Sequence, residues 1–413
     1  MINNVELLSP AGNFERLQVA FRFGADAVYL GATAMSLRNF ADNFTPDELI
    51  EAVKLAHGLN KKVYVTVNAF ARDDDIKELP VLIESIKAAS PDALIVNDPG
   101  VIRVLRRTIP DMPLHLSTQA NTLNSESASF WYDQGITRVV LARELSLDDI
   151  KRLRDNIPSD LELEMFVHGA MCVSYSGRCL LSNYVDGRDS NKGECVQPCR
   201  WKYEMREKGK DGEYLTIEED DNGTFILNSR DLRLIEYLPK IIDAGVTSLK
   251  IEGRMKSISY VAAVTNAYRM ALDFFEKEGK DAILPQAIVE ELSKASHRPF
   301  TTGFLFGKNG DKLQETSHAG YIQDACICAT VEDYDSENKV AHVFQRNRFF
   351  KGDSVEILSP SDIGRTFKVE WIKDAEGNEV ESAPHPKQEL YIGCSEPLKH
   401  GDILKLAGEI KRF

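Results

Sequence analysis

The chain has 413 residues, 43% of them hydrophobic and 28% charged, which is the composition of a globular protein and excludes a disordered or fibrous one. With 64 acidic and 50 basic residues, its net charge of −14 excludes a surface that is basic throughout, although it permits a local basic patch. No apolar run approaches the ~18 residues of a membrane span and no signal-peptide pattern is present, so we expect a cytoplasmic protein with no membrane contact.

The first 170 residues repeat one unit, in which a short apolar run precedes a stretch with helical periodicity. Seven apolar runs predict strands at 6–8, 27–30, 62–67, 93–96, 114–116, 139–142 and 161–167. The helical stretches between them include 13–23, 46–57, 75–89, 126–134 and 146–156. An eighth strand is predicted at 248–251, between helical stretches at 232–244 and 260–278. Such alternation predicts parallel strands joined by right-handed crossovers.

Eight strand–helix units in about 280 residues predict an α/β fold, a (β/α)8 TIM-like barrel, which we assign to residues 1–315. A doubly wound open sheet is the alternative, but the first strand is followed by SPAGN, which lacks the glycines of a dinucleotide fingerprint. Polar residues follow nearly every strand, and in a barrel those strand ends converge on one rim where chemistry is built. The candidate substrate-binding residues there are Arg38, Asn68, Gln119, Arg143, Glu144, His168, Lys250, Glu252 and Arg254.

Two segments depart from the repeat. An insertion at about 170–230, between the seventh and eighth strands, carries four cysteines and is far longer than an ordinary βα connection. From residue 321 onward helical signals stop, and β-rich runs at 325–332, 339–344, 354–357, 366–372, 389–392 and 402–406 take over. These runs predict a C-terminal domain at 318–413 that is a small all-β barrel or sandwich.

The four cysteines of the insertion are Cys172, Cys179, Cys195 and Cys199. Thiolates bind soft and borderline metals, so four of them suit either tetrahedral zinc or an iron–sulfur cluster. Cys172 and Cys179 are farther apart than the paired cysteines of most zinc sites, which favours the cluster, with zinc and unligated thiols as alternatives. The other three cysteines, Cys326, Cys328 and Cys394, are predicted to be small buried side chains of the β-rich domain.

A basic stretch with interleaved aromatic residues follows within the insertion. Residues 188–210 contain seven basic and four acidic residues. Cations bind phosphates and aromatic rings stack on unpaired bases, so the stretch is a candidate RNA contact, although its composition is also ordinary for a hairpin. The candidate RNA-binding residues are Arg188, Lys192, Arg200, Trp201, Lys202 and Tyr203.

The cysteine region also carries a family signature. The strings EMFVHGAMC at 164–172 and GRCLLS at 177–182 match that of the collagenase-like peptidase family (family U-32). The chain also resembles the family in LLSPAGN at 7–13, GADAVYLG at 24–31, SLRNF at 36–40, GECVQPCRW at 193–201, LNSRDL at 227–232 and KIEGRMKS at 250–257. The resemblance covers about 300 residues, and the tail resembles the C-terminal β-domain of that family.

The resemblance implies one of two activities. Some members are described as collagenases or proteases, whereas others are iron–sulfur proteins needed to hydroxylate a tRNA wobble uridine, a cytidine of ribosomal RNA or the ubiquinone ring. The chain is most similar to the tRNA group, because its four cysteines share one window and Arg233 stands where ubiquinone-hydroxylating relatives tend to place a ligating cysteine.

For this chain the resemblance therefore implies a 4Fe–4S cluster on Cys172, Cys179, Cys195 and Cys199. It also implies prephenate-dependent formation of 5-hydroxyuridine in the anticodon region of tRNA. A homologous partner subunit is a further expectation, because some relatives divide the work between two chains.

Each of these activities requires particular side chains. A small dicarboxylate such as prephenate needs cations, which Arg38, Arg143, Lys250 and Arg254 can supply unless neighbouring carboxylates pair with them. A peptidase needs a nucleophile, and Ser182, His168 and Asp186 are available, but no nucleophile elbow or zinc-protease helix motif is present. The alternatives are thus a collagenase-like peptidase or a non-catalytic zinc-binding module associated with RNA.

Overall fold

A computed structural model describes residues 2, 5–32, 43–190, 195–201, 206–208, 214–216, 229–307, 313, 321–322, 325–385 and 387–406. The chain divides into two compact units. The first comprises Met1–Leu17, Asp26–Met255 and Arg298–Tyr321, and the second comprises Gln18–Ala25, Lys256–His297 and Ile322–Phe413.

The first unit contains twelve strands among its described residues. They are β1 (Glu6–Pro10), β2 (Ala27–Gly31), β3 (Lys62–Val67), β4 (Ala93–Val96), β5 (Leu114–Leu116), β6 (Ile136–Val140), β7 (Glu162–Ala170), β8 (Arg206–Lys208), β9 (Tyr214–Thr216), β10 (Asp231–Arg233), β11 (Ser248–Ile251) and β12 (Phe300–Thr301). Helix α1 (Phe14–Arg22) begins in this unit and ends in the second. The helices that follow it are α2 (Pro46–Gly58), α3 (Asp73–Ala89), α4 (Pro99–Thr108), α5 (Ser125–Asp133), α6 (Leu147–Asp155), α7 (Leu181–Asp186) and α8 (Leu238–Asp243).

Eight of these strands close into a barrel. Strands β1 to β7 pair in parallel in sequence order, and β11 pairs in parallel with both β1 and β7. The predicted (β/α)8 TIM-like barrel is therefore confirmed, and the open doubly wound sheet is wrong because the two ends of the sheet meet at β11. Strand β10 extends the sheet beyond the barrel, pairing antiparallel with the end of β7 and parallel with β12.

Capping residues begin several of the helices that follow barrel strands. Asp98 starts α4, its Oδ1 accepting the backbone N–H groups of Gly100 and Val101. Thr45 starts α2 and Ser146 starts α6, each with a reciprocal bond to an acidic residue three positions on. Each cap fixes the residue at which its helix begins, and at Asp98 this is directly after Asn97, which follows β4.

The interior of the barrel is filled by alternate residues of its strands. An apolar cluster of buried side chains from β1 to β4 occupies the middle, consisting of Leu8, Ala27, Tyr29, Tyr64, Ala93 and Ile95. On β3 the alternation continues from Tyr64 through Thr66 to Asn68, all of them buried. The interior thus changes from apolar to polar toward the carboxyl ends of the strands.

The second unit contains α9 (Ile258–Glu278), α10 (Gln286–Lys294) and the β-rich tail. The tail strands are β13 (Cys326–Asp335), β14 (Val340–Gln345), β15 (Ser354–Ser359), β16 (Asp362–Lys368), β17 (Ile372–Asp374), β18 (Glu389–Gly393) and β19 (Ile403–Leu406). They form one antiparallel sheet in the order β16-β15-β19-β13-β14-β18-β17. The predicted all-β character of the tail is confirmed.

Three cysteines lie in this tail. Cys328 and Cys394 are buried in its core and Cys326 is half-buried. Burial raises the pKa of the Cys394 thiol to about 12 and also raises that of Cys328. These two thiols are therefore unreactive small side chains, as the sequence predicts.

All seven cysteines are among the described residues, and none is in a disulfide. Within the same residues no helix is long and apolar enough to cross a membrane.

Candidate active site

Three polar residues stand side by side at the carboxyl ends of neighbouring strands. Register pairs Val67 of β3 with Val96 of β4, and Val96 with Leu116 of β5, so the next residues along the chain, Asn68, Asn97 and Ser117, form a row. Asn68 Nδ2 donates to Ser117 Oγ at 3.2 Å, and both side chains are buried. The predicted convergence of polar residues at the barrel mouth is thus observed on these three strands.

Gln119 joins this row from a single helical turn after β5. Ser117 begins that turn, its Oγ accepting the backbone N–H of Gln119 at 3.4 Å. The Gln119 side chain is buried, and its Oε1 has no hydrogen-bond partner among the described residues. Asn68 Oδ1 and Asn97 Nδ2 are likewise buried and unsatisfied within that part of the chain.

Arg254 reaches the same region from the far side of the barrel. It follows β11, is 4% exposed, and donates from Nη1 to Thr66 Oγ1 on β3 at 2.9 Å. Gly12 packs against its backbone so closely that a Cβ at Gly12 would lie 2.2 Å from the Arg254 carbonyl oxygen. Only glycine fits there, and the close approach fixes the chain that carries Arg254.

Arg143 and its neighbours lie at the ends of β6 and β7. Arg143 donates from Nη1 to the carbonyl oxygen of Ala170 at 2.6 Å, and its guanidinium lies over the Phe166 ring at 4.1 Å. Burial raises the pKa of the adjacent Glu144 carboxyl, so this group holds its proton more readily than an exposed one. His168, on β7, is buried, and the centroid of its ring is 5.7 Å from that of Phe300.

Lys250 lies deeper in the barrel than these residues and has a carboxylate partner. Its Nζ donates to Glu164 Oε1 at 2.6 Å and lies 4.4 Å from the centroid of the Tyr29 ring. Glu164 also pairs with Arg138 at 3.3 Å, and Arg138 pairs with Glu6 at 2.6 Å. Burial lowers the pKa of the Lys250 ammonium, and Glu164 acts in the opposite direction. The charge of Lys250 thus belongs to a buried ion-pair network inside the barrel.

The other described candidate residues lie at the end of β7 and on the cysteine-bearing insertion. The backbone N–H of Glu252 donates to the His168 carbonyl oxygen at 2.9 Å, which puts this residue beside the end of β7. Arg188 pairs with Asp186 at 3.0 Å, and Trp201 is 42% exposed. Arg200 lies on a single helical turn, Pro198–Arg200. The predicted candidates Arg38, Lys192, Lys202 and Tyr203 lie outside the described residues.

The cysteine-bearing insertion, described at 171–190 and 195–201 and here called the cysteine segment, lies over the ends of β3 and β5. Asn121 Nδ2 donates to the carbonyl oxygen of Ser176 at 3.0 Å. Gly177 has φ +72°, and a Cβ there would lie 2.9 Å from the Phe70 ring and 3.4 Å from Gln119 Cβ. Asn121 and Phe70 were not among the predicted site residues. The left-handed backbone of Asn121, with φ 53°, could not be read from the sequence.

The sulfurs of Cys179 and Cys195 meet the first turn of α7. The backbone N–H of Leu181 donates to Cys179 Sγ at 3.5 Å, and Ser182 Oγ lies 3.6 Å from Cys195 Sγ. Cys199 is on the turn Pro198–Arg200, which packs against α7. Cys172 is exposed, two residues after β7.

These positions allow a test of whether the cysteines fit a metal group. Their donor set is four thiols outside any disulfide, and backbone N–H donation to sulfur is typical of cluster ligands. Three of them lie around α7. Among the described residues, however, no three His, Cys, Asp or Glu side chains are arranged so that they could hold a metal ion. The four thiols therefore have the chemistry of ligands for a metal group, and three of them lie around the same helix. Their sulfur atoms must come nearer to one another before they can bind such a group.

A hydrolytic triad is not formed by the candidate nucleophile and its partners. Ser182 Oγ contacts Cys195 Sγ, and the Asp186 carboxylate pairs with Arg188. Neither of these two side chains bonds to His168 within the described residues. A serine nucleophile needs a hydrogen bond to its base and a group that orients the base.

Comparison with known proteins identifies the family. Residues 12–315 match the model of Peptidase family U32, and residues 323–405 match the Peptidase family U32 C-terminal domain. The chain is 41% identical over 384 residues to "tRNA hydroxylation protein P1" of Bacillus subtilis (strain 168), covering 93% of this chain and 90% of the relative. It is 38% identical over 435 residues to "tRNA hydroxylation protein P" of Escherichia coli (strain K12), covering 95% and 94%.

A third relative has a different name. The chain is 30% identical over 417 residues to "Collagenase" of Porphyromonas gingivalis (strain ATCC BAA-308 / W83), covering 98% of both chains. All three relatives match nearly the full length of the chain, as the two family models together do. The chain belongs to Peptidase family U32.

Proposed function

We propose that this chain is an iron–sulfur-dependent tRNA-modifying enzyme of the cytoplasm, which converts the wobble uridine to 5-hydroxyuridine with prephenate as co-substrate. Relatives named for tRNA hydroxylation support the coarser statement, an RNA-modifying enzyme. The structural observation that carries the proposal is the position of the cysteine segment, which is tied to the barrel mouth beside Gln119. A redox group held there would lie next to a substrate in the mouth.

The proposed ligands of a 4Fe–4S cluster are Cys172, Cys179, Cys195 and Cys199. When bound, such a group supplies the redox chemistry that hydroxylation of a pyrimidine ring requires and that no amino-acid side chain provides. The chain contributes thiolates, the Leu181 N–H donated to Cys179 Sγ, and the Ser182 hydroxyl beside Cys195 Sγ. Zinc is the second choice for the same thiols, and it would leave the chain without redox chemistry.

The proposed site for the dicarboxylate lies between Arg143 and Arg254. Guanidinium groups bind carboxylates through two parallel hydrogen bonds, and both arginines follow barrel strands. Arg143 is half-buried and its Nε has no hydrogen-bond partner among the described residues. Since Lys250 is paired with Glu164, we assign the dicarboxylate to these two arginines and not to Lys250.

The proposed RNA surface surrounds the cysteine segment. Tyr184 is 90% exposed and Trp201 is 42% exposed, so both rings are accessible to unstacked bases. Arg178 and Arg188 lie on the same segment and can meet phosphates. A loop such as the anticodon presents unstacked bases, and this surface suits it better than a duplex.

The peptidase alternative is less well supported. It has the relative named "Collagenase" at 30% identity, compared with 38% and 41% for the relatives named for tRNA hydroxylation. The Ser182 hydroxyl contacts Cys195 Sγ and the Asp186 carboxylate pairs with Arg188, so within the described residues neither side chain makes the contact that a triad needs. A non-catalytic zinc module would leave the polar barrel mouth without a use.

Nucleoside analysis of tRNA tests the proposal. A strain that lacks this chain is complemented with the wild-type gene, with Cys195→Ala or with Cys326→Ala, and tRNA digests are examined by mass spectrometry. We expect 5-hydroxyuridine to be restored by the wild type and by Cys326→Ala, whose thiol lies in the β-rich tail, but not by Cys195→Ala. Normal 5-hydroxyuridine in the uncomplemented strain or with Cys195→Ala would refute the proposal. Measurement of 5-hydroxyuridine in a strain that makes no prephenate tests the co-substrate separately. Co-purification with the chain tests for a homologous second subunit.

A further inference from the structure

Three side-chain amides at the barrel mouth have buried polar atoms with no partner. Asn68 is 9% exposed, Asn97 is 5% exposed and Gln119 is 9% exposed. Within the described part of the chain, Asn68 Oδ1, Gln119 Oε1 and Asn97 Nδ2 make no hydrogen bond. Asn68 and Asn97 directly follow neighbouring strands, which lie about 5 Å apart in the hydrogen-bonding direction, and Gln119 is on the turn after β5, the next strand of the sheet.

The arrangement is held in place by its own hydrogen bonds. Asn68 uses one amide hydrogen on Ser117 Oγ, and Ser117 Oγ also accepts the N–H of Gln119. Strands β3 and β5 flank β4, so this pair meets beside Asn97. Buried polar atoms without partners are rare in folded proteins because each one destabilises the fold. Three of them on one rigid surface indicate that a ligand supplies the missing bonds.

The unsatisfied atoms define the chemistry of that ligand. Two are acceptors, Asn68 Oδ1 and Gln119 Oε1, and one is a donor, Asn97 Nδ2. A doubly ionised dicarboxylate has only acceptors on its carboxylates, which the two amide oxygens would repel. A neutral group with an N–H beside a carbonyl oxygen offers one donor and one acceptor, and a ribose hydroxyl can donate to the second amide oxygen.

The surroundings favour a flat ring at this place. The Phe70 ring lies beside Gly177 and Gln119, and it forms an apolar wall next to the amides. The cysteine segment covers the same spot through the hydrogen bond from Asn121 to Ser176. An extruded base stacked against an aromatic ring and bonded along its edge is the usual way in which proteins read unpaired RNA.

We infer that Asn68, Asn97 and Gln119 recognise the uracil ring of the substrate nucleotide, with an amide oxygen accepting from N3–H and Asn97 Nδ2 donating to a ring carbonyl. This inference rests on the proposed function and deepens it, because it gives the amides to the base and leaves Arg143 and Arg254 to the dicarboxylate. Specificity for uracil then comes from the barrel mouth, and the exposed aromatic residues of the cysteine segment add affinity without reading the base.

Binding of anticodon stem–loop RNA to the wild-type protein tests the inference without any mutation. The probes carry uridine or 3-methyluridine at the target position, and a control carries the same methyl group on a neighbouring loop uridine. Methylation removes the N3–H, so we expect the dissociation constant to rise about tenfold or more for the target position and to stay unchanged for the control. Equal affinity for the uridine and 3-methyluridine probes would overturn the inference.

Isosteric variants test which of the amide side chains bind the uracil ring. Asn97→Asp replaces the donor by an acceptor and Gln119→Glu adds a charge, whereas Gln134→Glu changes an exposed amide just before β6, at the opposite end of the barrel. We expect Asn97→Asp to weaken binding of the uridine probe about tenfold or more, because its carboxylate repels the ring carbonyl. Gln119→Glu should alter the discrimination between uridine and 3-methyluridine, while Gln134→Glu keeps the affinity and discrimination of the wild type. Thermal unfolding identifies variants that fail to fold. If a variant does not fold, the inference is judged by the binding of the uridine and 3-methyluridine probes to the wild-type protein. A folded Asn97→Asp that binds the uridine probe as tightly as the wild type would overturn the assignment of Asn97.

The two proposals fail in different ways. If tRNA from a strain without the chain keeps its 5-hydroxyuridine, or the protein binds no stem–loop at all, the proposed function fails. If modification depends on the chain but N3-methylation leaves binding unchanged, only the assignment of the amides fails.

Discussion

Asn121 donates its side-chain amide to the carbonyl oxygen of Ser176 at 3.0 Å and to that of Gln119 at 2.8 Å. One residue thus connects the turn after β5 with the cysteine segment, although 55 residues separate Asn121 from Ser176. The connection brings the region that carries the thiols to the end of the barrel at which TIM-barrel enzymes perform their chemistry.

Removal of this connection should loosen the cysteine segment. Asn121→Asp keeps the size of the side chain but loses both N–H donors, which costs about 1–3 kcal/mol of local stability. We expect faster hydrogen–deuterium exchange at 172–180 and lower metal content, with little change in the barrel strands. Asn156→Asp is the matched control, because Asn156 also donates to a backbone carbonyl oxygen, that of Arg152, but at an exposed site at the end of α6. Unchanged exchange at 172–180 would mean that Asn121 does not hold the segment.

The pair between Lys250 and Glu164 should stabilise the barrel only as a pair. Lys250→Met leaves the buried Glu164 with Arg138 as its remaining cationic partner among the described residues, and breaking a buried ion pair costs about 3–5 kcal/mol. The double variant Lys250→Met, Glu164→Gln removes both charges and should recover most of that loss. Urea unfolding measures both free energies. Equal destabilisation in the single and double variants would show that the charge pairing is unimportant.

The pH dependence of stability should carry a contribution from Glu144. Because burial raises its pKa in the folded state, the folded state binds the proton more tightly than the unfolded state. The stabilisation is complete below the unfolded pKa and is lost as the pH rises through the folded pKa. In urea unfolding from about pH 4 to about pH 8, the wild type should lose stability relative to Glu144→Gln. If the difference in unfolding free energy between the wild type and Glu144→Gln stays constant across this pH range, the raised pKa of Glu144 is contradicted.

Arg254 should bind the dicarboxylate without affecting the metal. A charge-assisted hydrogen bond contributes about 1.5–3 kcal/mol, so Arg254→Ala should weaken prephenate binding by about tenfold to a hundredfold. Calorimetric titration measures the affinity, and metal analysis checks that the content is unchanged. Arg152→Ala, which removes an exposed arginine on α6, is the control. Prephenate affinity equal to that of the wild type would remove Arg254 from the site.

Four of the barrel strands could be predicted to the residue. Strands β3, β4, β5 and β11 have the predicted bounds, because nearly all of their residues are buried and are therefore largely apolar on both faces of the sheet. Strand β6 was predicted at 139–142 and lies at Ile136–Val140. The difference arises at Arg138, a charged residue that belongs to the strand because it points into the barrel and pairs there with Glu6 and Glu164.

The candidate site was predictable in its location but not in its pairings. Polar residues at strand ends identify the rim, since a parallel barrel has one active face. The partner of Lys250 is 86 residues away in the chain, and the Asn121 contact depends on a left-handed backbone. Such long-range contacts follow from packing, which periodicity does not encode.

The most direct test of the account is the metal bound by anaerobically purified protein. We predict about four irons and about four sulfides per chain in the wild type, a visible absorption band, and loss of both in Cys195→Ala but not in Cys326→Ala. Alkylation should modify Cys172 and Cys195 only after the metal is removed, and it should spare the buried Cys328 throughout. Protein that restores 5-hydroxyuridine to tRNA while it contains zinc or no iron would contradict the account.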